Sequence, residues 1–142
     1  MTSPSLDALR EMFRAAPFIA SLGVELESVS AGRCHTTLRL RPWHLQQNGV
    51  VHAGVIATLA DHTAGAAAGS VLDDASYPLT AEFNINLLRS ASGDQLTCHA
   101  RVLKPGRTLI VAESEVFAGE GAAEVLVAKA LVTLAVLAKD KP

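Results

Sequence analysis

From about Ala53 to Val71 the chain reads AGVIATLADHTAGAAAGSV, apolar or small at nearly every position. The alanine content favours helix, and the stretch is longer than an ordinary strand. A helix that is hydrophobic on almost every face has to be buried on almost every face. The rest of the chain must therefore enclose it, which argues for a sheet wrapped around the helix and against a doubly wound layout. Gly54, Gly65 and Gly69 weaken the helix but let other backbone or a ligand come close. One carboxylate, Asp61, interrupts the middle of it.

Ahead of this helix, Ser3-Pro4 reads as an N-cap followed by proline at the first helical position. Leu6, Leu9, Phe13 and Ala16 then form one apolar stripe, which Pro17 ends or bends. Two short strands follow, Val24 to Ser30 and Arg33 to Leu40, joined at Ala31-Gly32. Pro42 opens a loop through Trp43 and His44 to a polar turn at Gln46–Gly49. Beyond the helix, Asp73, Asp74 and Pro78 bracket a loop. Leu79, Ala81, Phe83, Ile85 and Leu87 then alternate with Thr80, Glu82, Asn84 and Asn86, which predicts a strand with one buried and one wetter face. A similar alternation runs through Leu96, Cys98, Ala100 and Val102. Pro105-Gly106 turns the chain into a strand from Arg107 to about Phe117, and the turn at Gly119–Gly121 leads to a last strand of roughly Glu124 to Leu137. Neighbouring long strands joined by short turns pair antiparallel. The expected class is α+β, an antiparallel sheet curved around one long central helix, in a single domain over residues 1–142.

Composition narrows the function. Hydrophobic residues make up 49% of the chain and charged residues only 18%, lean on charge for a lone globule, so buried subunit interfaces are expected. A net charge of −2 lacks the basic footprint that nucleic acid or a membrane surface requires. No run approaches the roughly 20 apolar residues that span a bilayer, and Asp7 and Glu11 argue against a secretory signal. Cys34 and Cys98 lie in strand-like stretches without metal-ligand spacing and read as reduced, buried small hydrophobes. The cytoplasm is the expected address.

Asp61 is the first candidate for chemistry. Its helical neighbours at three and four residues are Ala57, Thr58, Ala64 and Gly65, all small, with no Lys or Arg to neutralise it. Such an acid is exposed, paired with a distant arginine, or poised as a nucleophile or general base towards a substrate carbonyl. The helix start is the second candidate. Free N–H groups of Ala53 and Gly54, at the positive end of the helix, can polarise a carbonyl oxygen in acyl transfer. Eight residues separate Ala53 from Asp61, about 12 Å of rise, so one helix cannot supply both to one carbonyl. Two copies with antiparallel helices across a two-fold axis can. His52 directly precedes the helix and either caps it, braces the turn or moves a proton. Asp61 with His52 and His62 matches no familiar metal spacing, and no metal or other cofactor is expected. No Gly-x-Ser-x-Gly elbow, phosphate loop or dinucleotide fingerprint is present. Arg89, Lys104 and Arg107 lie at or near strand ends, where solvated charge is the ordinary role and where a phosphorylated substrate would be received.

The segment Gln46-x-x-Gly49-x-x-His52-Ala53-Gly54, with Asp61 nine residues after the histidine, resembles the hotdog-fold acyl-CoA thioesterases, particularly the phenylacetate-pathway (PaaI-type) group. The resemblance extends through Thr80-Ala-Glu-Phe-Asn-Ile-Asn-Leu-Leu-Arg89 and Lys104-Pro-Gly-Arg107 to the strand bearing Glu113. It implies dimers that often pair into tetramers, with the pantetheine arm of acyl-CoA between subunits. It also implies that Asp61 attacks the thioester or activates water, while the Ala53 N–H polarises the carbonyl from the opposing subunit. Gln46 stands where the family uses Asn or Gln near the thioester, and Thr80 matches a Ser or Thr that positions water. Asn48, Gly49 and Gly54 are the accompanying candidates for substrate contact. The alternation above sets Thr80 on the wetter sheet face, so a local twist is needed for it to reach the site. Ala53 replaces a glycine common in some branches, at little cost because the role belongs to the backbone. The expected activity is acyl-CoA thioester hydrolysis; the alternative is a non-catalytic acyl-CoA or lipid-metabolite binding module on the same scaffold. A hydratase would need an acid and a histidine arranged across a double bond, a motif not recognised here.

Overall fold

The computed structural model describes residues 5–140. Ser5 caps the first helix, α1 (Leu6–Ala15), by accepting the Ala8 N–H; the expected Ser3-Pro4 start lies outside the described residues. Pro17 does bend the chain, but into a second short helix, α2 (Pro17–Leu22), where proline occupies the first turn and Gly23 ends it in the left-handed conformation at φ +88°. Strands β1 (Glu25–Ser30) and β2 (Arg33–Arg39) follow as a hairpin. A 3₁₀ turn at Pro42–His44 precedes the long helix α3 (Ala53–Gly69). Strands β3 (Ser76–Leu87), β4 (Gln95–Lys104), β5 (Leu109–Ala118) and β6 (Val125–Ala138) complete the chain.

All six strands form one antiparallel sheet in the order β1-β2-β4-β5-β6-β3. Helix α3 packs against its inner face along β2, β3, β4, β5 and β6, so the helix-in-sheet architecture expected from the sequence is the one observed. Val55, Ile56, Leu59, Ala60, Ala64, Ala67 and Ala68 of α3 meet Leu38, Leu96, Ile110, Val116, Val132 and Leu134 of the sheet in a common core. Alanines at these contacts let the helix axis approach the curved sheet closely. Two hydroxyl bonds, from β5 and β2, fix its depth and rotation, and a third lies within the helix. Ser114 Oγ donates to the Ala60 carbonyl at 2.7 Å, Thr63 Oγ1 donates to the Leu59 carbonyl at 2.6 Å, and Thr63 shares a 2.7 Å bond with Thr36 of β2.

Strand β3 departs from the simple alternation. Thr80 pairs with Leu134 but Glu82 pairs with Thr133, so Ala81 is an extra residue, a β-bulge. Before the bulge Pro78 and Thr80 face the helix; after it Phe83, Ile85 and Leu87 do, opposite the buried Val132, Ala130 and Ala128. Leu79 instead shares the outer face with Glu82, Asn84 and Asn86. Pro78, expected in a loop, lies inside this edge strand, where its missing N–H is tolerated.

Candidate functional site

The bulge brings Thr80 to the helix. Its Oγ1–H donates to Asp61 Oδ1 at 2.7 Å, and Asp61 is half-buried. The second carboxylate oxygen has no partner among the described residues, and no Lys, Arg or His lies within ion-pair distance of it. An acid without a counter-charge, restrained through one oxygen, keeps its other oxygen available for chemistry. Thr80 thus faces the helix beside Asp61 and not the outer face on which uninterrupted alternation set it.

The start of α3 is assembled by the turn before it. Gln46 N–H bonds to the Val50 carbonyl at 2.8 Å and Gly49 N–H to the Gln46 carbonyl at 3.0 Å, with Gly49 at φ +82°. Such a φ is costly for any residue with a Cβ, which explains glycine at this position. The Gln46 side-chain oxygen accepts the Asn48 N–H, which leaves its amide N–H₂ free. His52 is the N-cap of α3, and its Nδ1 accepts the Gly54 N–H at 2.8 Å. A Cβ on Gly54 would lie 3.0 Å from that nitrogen, so glycine there makes room for the imidazole. With the Gly54 N–H taken, the exposed Ala53 N–H is the first-turn donor without a partner among the described residues. The Nδ1 acceptor also fixes the proton of neutral His52 on Nε2.

His62, next to Asp61, points elsewhere. Its ring meets Phe13 of α1 edge-on at 4.5 Å, and its buried Nε2 has no partner among the described residues. Burial pushes its pKa down, opposed by the neighbouring Asp61. Among the described residues no group of His, Cys, Asp and Glu is arranged to hold a metal ion. Cys34 and Cys98 are buried, and burial pushes both thiols up to about 12, with Cys98 adding to the shift of Cys34. Neither is a nucleophile. No described helix is long and apolar enough to cross a membrane.

The three candidate phosphate contacts fall into two groups. Lys104 and Arg107 flank the β4–β5 turn, at the sheet end where Leu109 lines up with Ala135 and Leu79. Arg89 follows Leu87, at the other end of β3, roughly 25 Å away along the strand. The C-terminus of α3 lies at the Lys104 end, where Gly69 packs under Pro78. Its N-terminus lies at the Arg89 end, where Val51 N–H bonds to the Ala91 carbonyl at 2.9 Å. One protomer therefore cannot present all three basic residues to a single nucleotide. Two surface depressions, of about 440 and 800 Å³, lie beside α1 and α2, and Asp61 lines neither. Strand β3 is an open edge carrying the exposed Tyr77, Leu79, Phe83 and Leu87. A long apolar edge of this kind calls for a partner.

Sequence reasoning missed His44, which it left in a loop. The ring is fully buried, with both nitrogens bonded, and its main-chain carbonyl accepts the His52 N–H at 2.9 Å. Nothing in the Pro-Trp-His run signals that burial.

Comparison with known proteins bears on this arrangement. The profile of the thioesterase superfamily matches residues 48–125, which carry His52, Ala53, Asp61 and Thr80. A Saccharolobus solfataricus protein whose name marks it as a candidate esterase is 32% identical over 78% of this chain and 79% of its own. The crystal structure of a thioesterase family protein from Silicibacter pomeroyi superposes with a TM-score of 0.88 at 34% identity, covering 92% of this chain and 96% of that one. Zebrafish thioesterase superfamily member 2 gives a TM-score of 0.82 at 27% identity, over 94% and 99% of the two chains.

Proposed function

Because the chain belongs to the thioesterase superfamily, a hotdog-fold family of thioester hydrolases, we propose that it hydrolyses an acyl-CoA thioester with Asp61 as nucleophile or general base. The observation that carries this reading is the Thr80–Asp61 bond of 2.7 Å on a carboxylate with no counter-charge. Thr80 holds one oxygen; the other either attacks the carbonyl carbon, expelling CoA thiolate and leaving a mixed anhydride that water hydrolyses, or takes a proton from a water that attacks the carbon and expels the thiolate. In either attack negative charge develops on the carbonyl oxygen, and the Ala53 N–H at the positive end of α3 receives it. His52 and Gln46 keep that turn in place and border the thioester.

The roughly 12 Å of rise between Ala53 and Asp61 makes the site composite. In a homodimer joined along β3, with the two α3 helices antiparallel, the N-terminus of one helix meets Asp61 of the other. The same symmetry brings the partner's Arg89 to the sheet end that carries Lys104 and Arg107, across β5, β6 and β3, because the two ends of the sheet exchange places. The nucleotide of CoA then meets Lys104 and Arg107 or the partner's Arg89 at one end of the dimer. Asn48, Gly49 and Gly54 border the path of the pantetheine arm. A PaaI-type subgroup, pairing of dimers into tetramers and a cytoplasmic address complete this proposal; it requires no cofactor.

A panel of aryl- and medium-chain acyl-CoAs, assayed for free thiol, tests the activity. Asp61→Asn should keep the fold and bind substrate while kcat falls at least about a thousandfold, the scale on which loss of a catalytic group is felt. Normal turnover by folded Asp61→Asn would sink the mechanism. Saturable acyl-CoA binding without thiol release by the unmodified protein would establish the binding-module alternative instead.

A further inference from the structure

Among the described residues His44 is the one histidine with no exposed surface, and its surroundings dictate its chemical form. The ring lies in the 3₁₀ turn Pro42–His44, between the end of β2 and the start of the Gln46–Gly49 turn. Nδ1 accepts the Arg41 N–H at 3.0 Å, and Nε2 lies 2.8 Å from the Leu22 carbonyl. An amide N–H can only donate and a carbonyl can only accept, so Nδ1 is bare and Nε2 carries the proton. The imidazole is thus neutral in one tautomer, with both nitrogens satisfied. Leu22 is the last residue of α2, and its carbonyl is one of those a helix end leaves unpaired. His44 therefore clamps α2 to the turn that follows β2.

The main chain of the same residue reaches the proposed site. The His44 carbonyl accepts the N–H of His52, the residue immediately before Ala53, at 2.9 Å. Beyond it the Leu45–Val51 bridge and the Gln46–Val50 bond zip the turn into a short ladder with His44 at its base. From this geometry we infer that His44 is a positioning residue for hydrolysis: its neutral, doubly bonded ring fixes the main chain that aims the Ala53 N–H at the thioester oxygen. The inference rests on the proposed role of the α3 start. It adds a residue that never touches substrate but sets where the carbonyl is polarised. A displacement of about 1 Å in such a donor costs up to about a hundredfold in rate.

The test compares His44→Ala, His44→Gln and Asp61→Asn with the best acyl-CoA of the panel. For His44→Ala, kcat should fall about 10- to 100-fold with KM changed less than about twofold, since the donor acts on the transition state. Hydrogen exchange at the His52 amide should accelerate in that variant. His44→Gln, whose amide can still donate to the Leu22 carbonyl, should recover part of kcat, and it decides the matter if His44→Ala does not fold. Nitrogen-15 spectra of the unmodified protein should show Nδ1 unprotonated and Nε2 protonated. The inference is overturned by a folded His44 variant with unchanged kcat, even one with a lowered melting temperature, or by the opposite tautomer. If Asp61→Asn is inactive while the His44 variants keep their kcat, this inference fails alone. If Asp61→Asn retains turnover, the reading of the site fails and takes the inference with it.

Discussion

The two sides of α3 treat polar groups in opposite ways. Towards β2 and β5, the hydroxyls of Thr36, Thr63 and Ser114 and the carbonyls of Leu59 and Ala60 are buried and matched with one another. Towards β3, Asp61 is half-buried, holds a single bond from Thr80 and keeps an oxygen free. Unsatisfied polar groups in a dry core are costly, so the first side has none to spare for a reactant. The second side carries an acid without a counter-charge beside an open strand edge. One helix thus provides a structural face and the face proposed to react, and they can be separated experimentally.

After the loss of Asp61 itself, the largest effect is expected from breaking the proposed reactive face at the level of assembly. Leu87 is half exposed near the end of the β3 edge, on the helix-facing side of the strand. Leu87→Lys should leave the protomer folded but convert the proposed dimer to a monomer in light scattering, and thiol release should fall at least about a hundredfold because neither proposed half-site would be complete. A fully active monomer would refute the composite site. Next comes one substitution made on each face. Thr80→Val removes the restraint on Asp61 and should lower kcat about 10- to 100-fold with little change in the melting midpoint. Thr63→Val deprives Thr36 of its buried partner and should cost about 1–3 kcal/mol of unfolding free energy with kcat nearly unchanged. Equal effects on rate and stability from both variants would erase the distinction between the faces.

Much of this was legible in the chain. An all-round apolar helix demanded an enclosing sheet, and the alternating segments after Asp73 supplied four of its strands close to their observed limits. Thr80 was legible only through family resemblance, because a period-2 pattern cannot reveal a bulge. Ala81 occupies a position in the chain without advancing the pairing with β6, and every residue beyond it changes face relative to a simple count. Pro17 interrupts the first helix as its residue type dictates, but whether the chain then turns into strand or a second helix depends on what Ile19 packs against. His44 was unreadable for a related reason. Its partners, Leu22 and Arg41, are joined to it by tertiary structure or by a turn geometry that sequence does not specify. The segregation of Arg89 from Lys104 and Arg107 likewise required strand order, not spacing.

His62 lies between the two faces and gives the smallest expected effect. Its ring is packed under Phe13 with Nε2 unpartnered, and burial depresses its pKa despite the pull of Asp61 in the other direction. The folded protein therefore holds His62 neutral at pH values where the unfolded chain, with an ordinary histidine pKa of 6.5, takes up a proton. Where the unfolded state binds more protons, stability rises with pH. The contribution of His62 is thus fully present above about pH 6.5, declines as the pH falls below it, and stops declining once the folded-state pKa is passed. Urea unfolding at pH 7.5 and pH 5.5 should show the unmodified protein losing more stability on acidification than His62→Leu, with kcat at pH 7.5 little changed in the variant. Identical losses in the two proteins would mean that His62 protonates as readily in the fold as outside it, and would overturn this assignment.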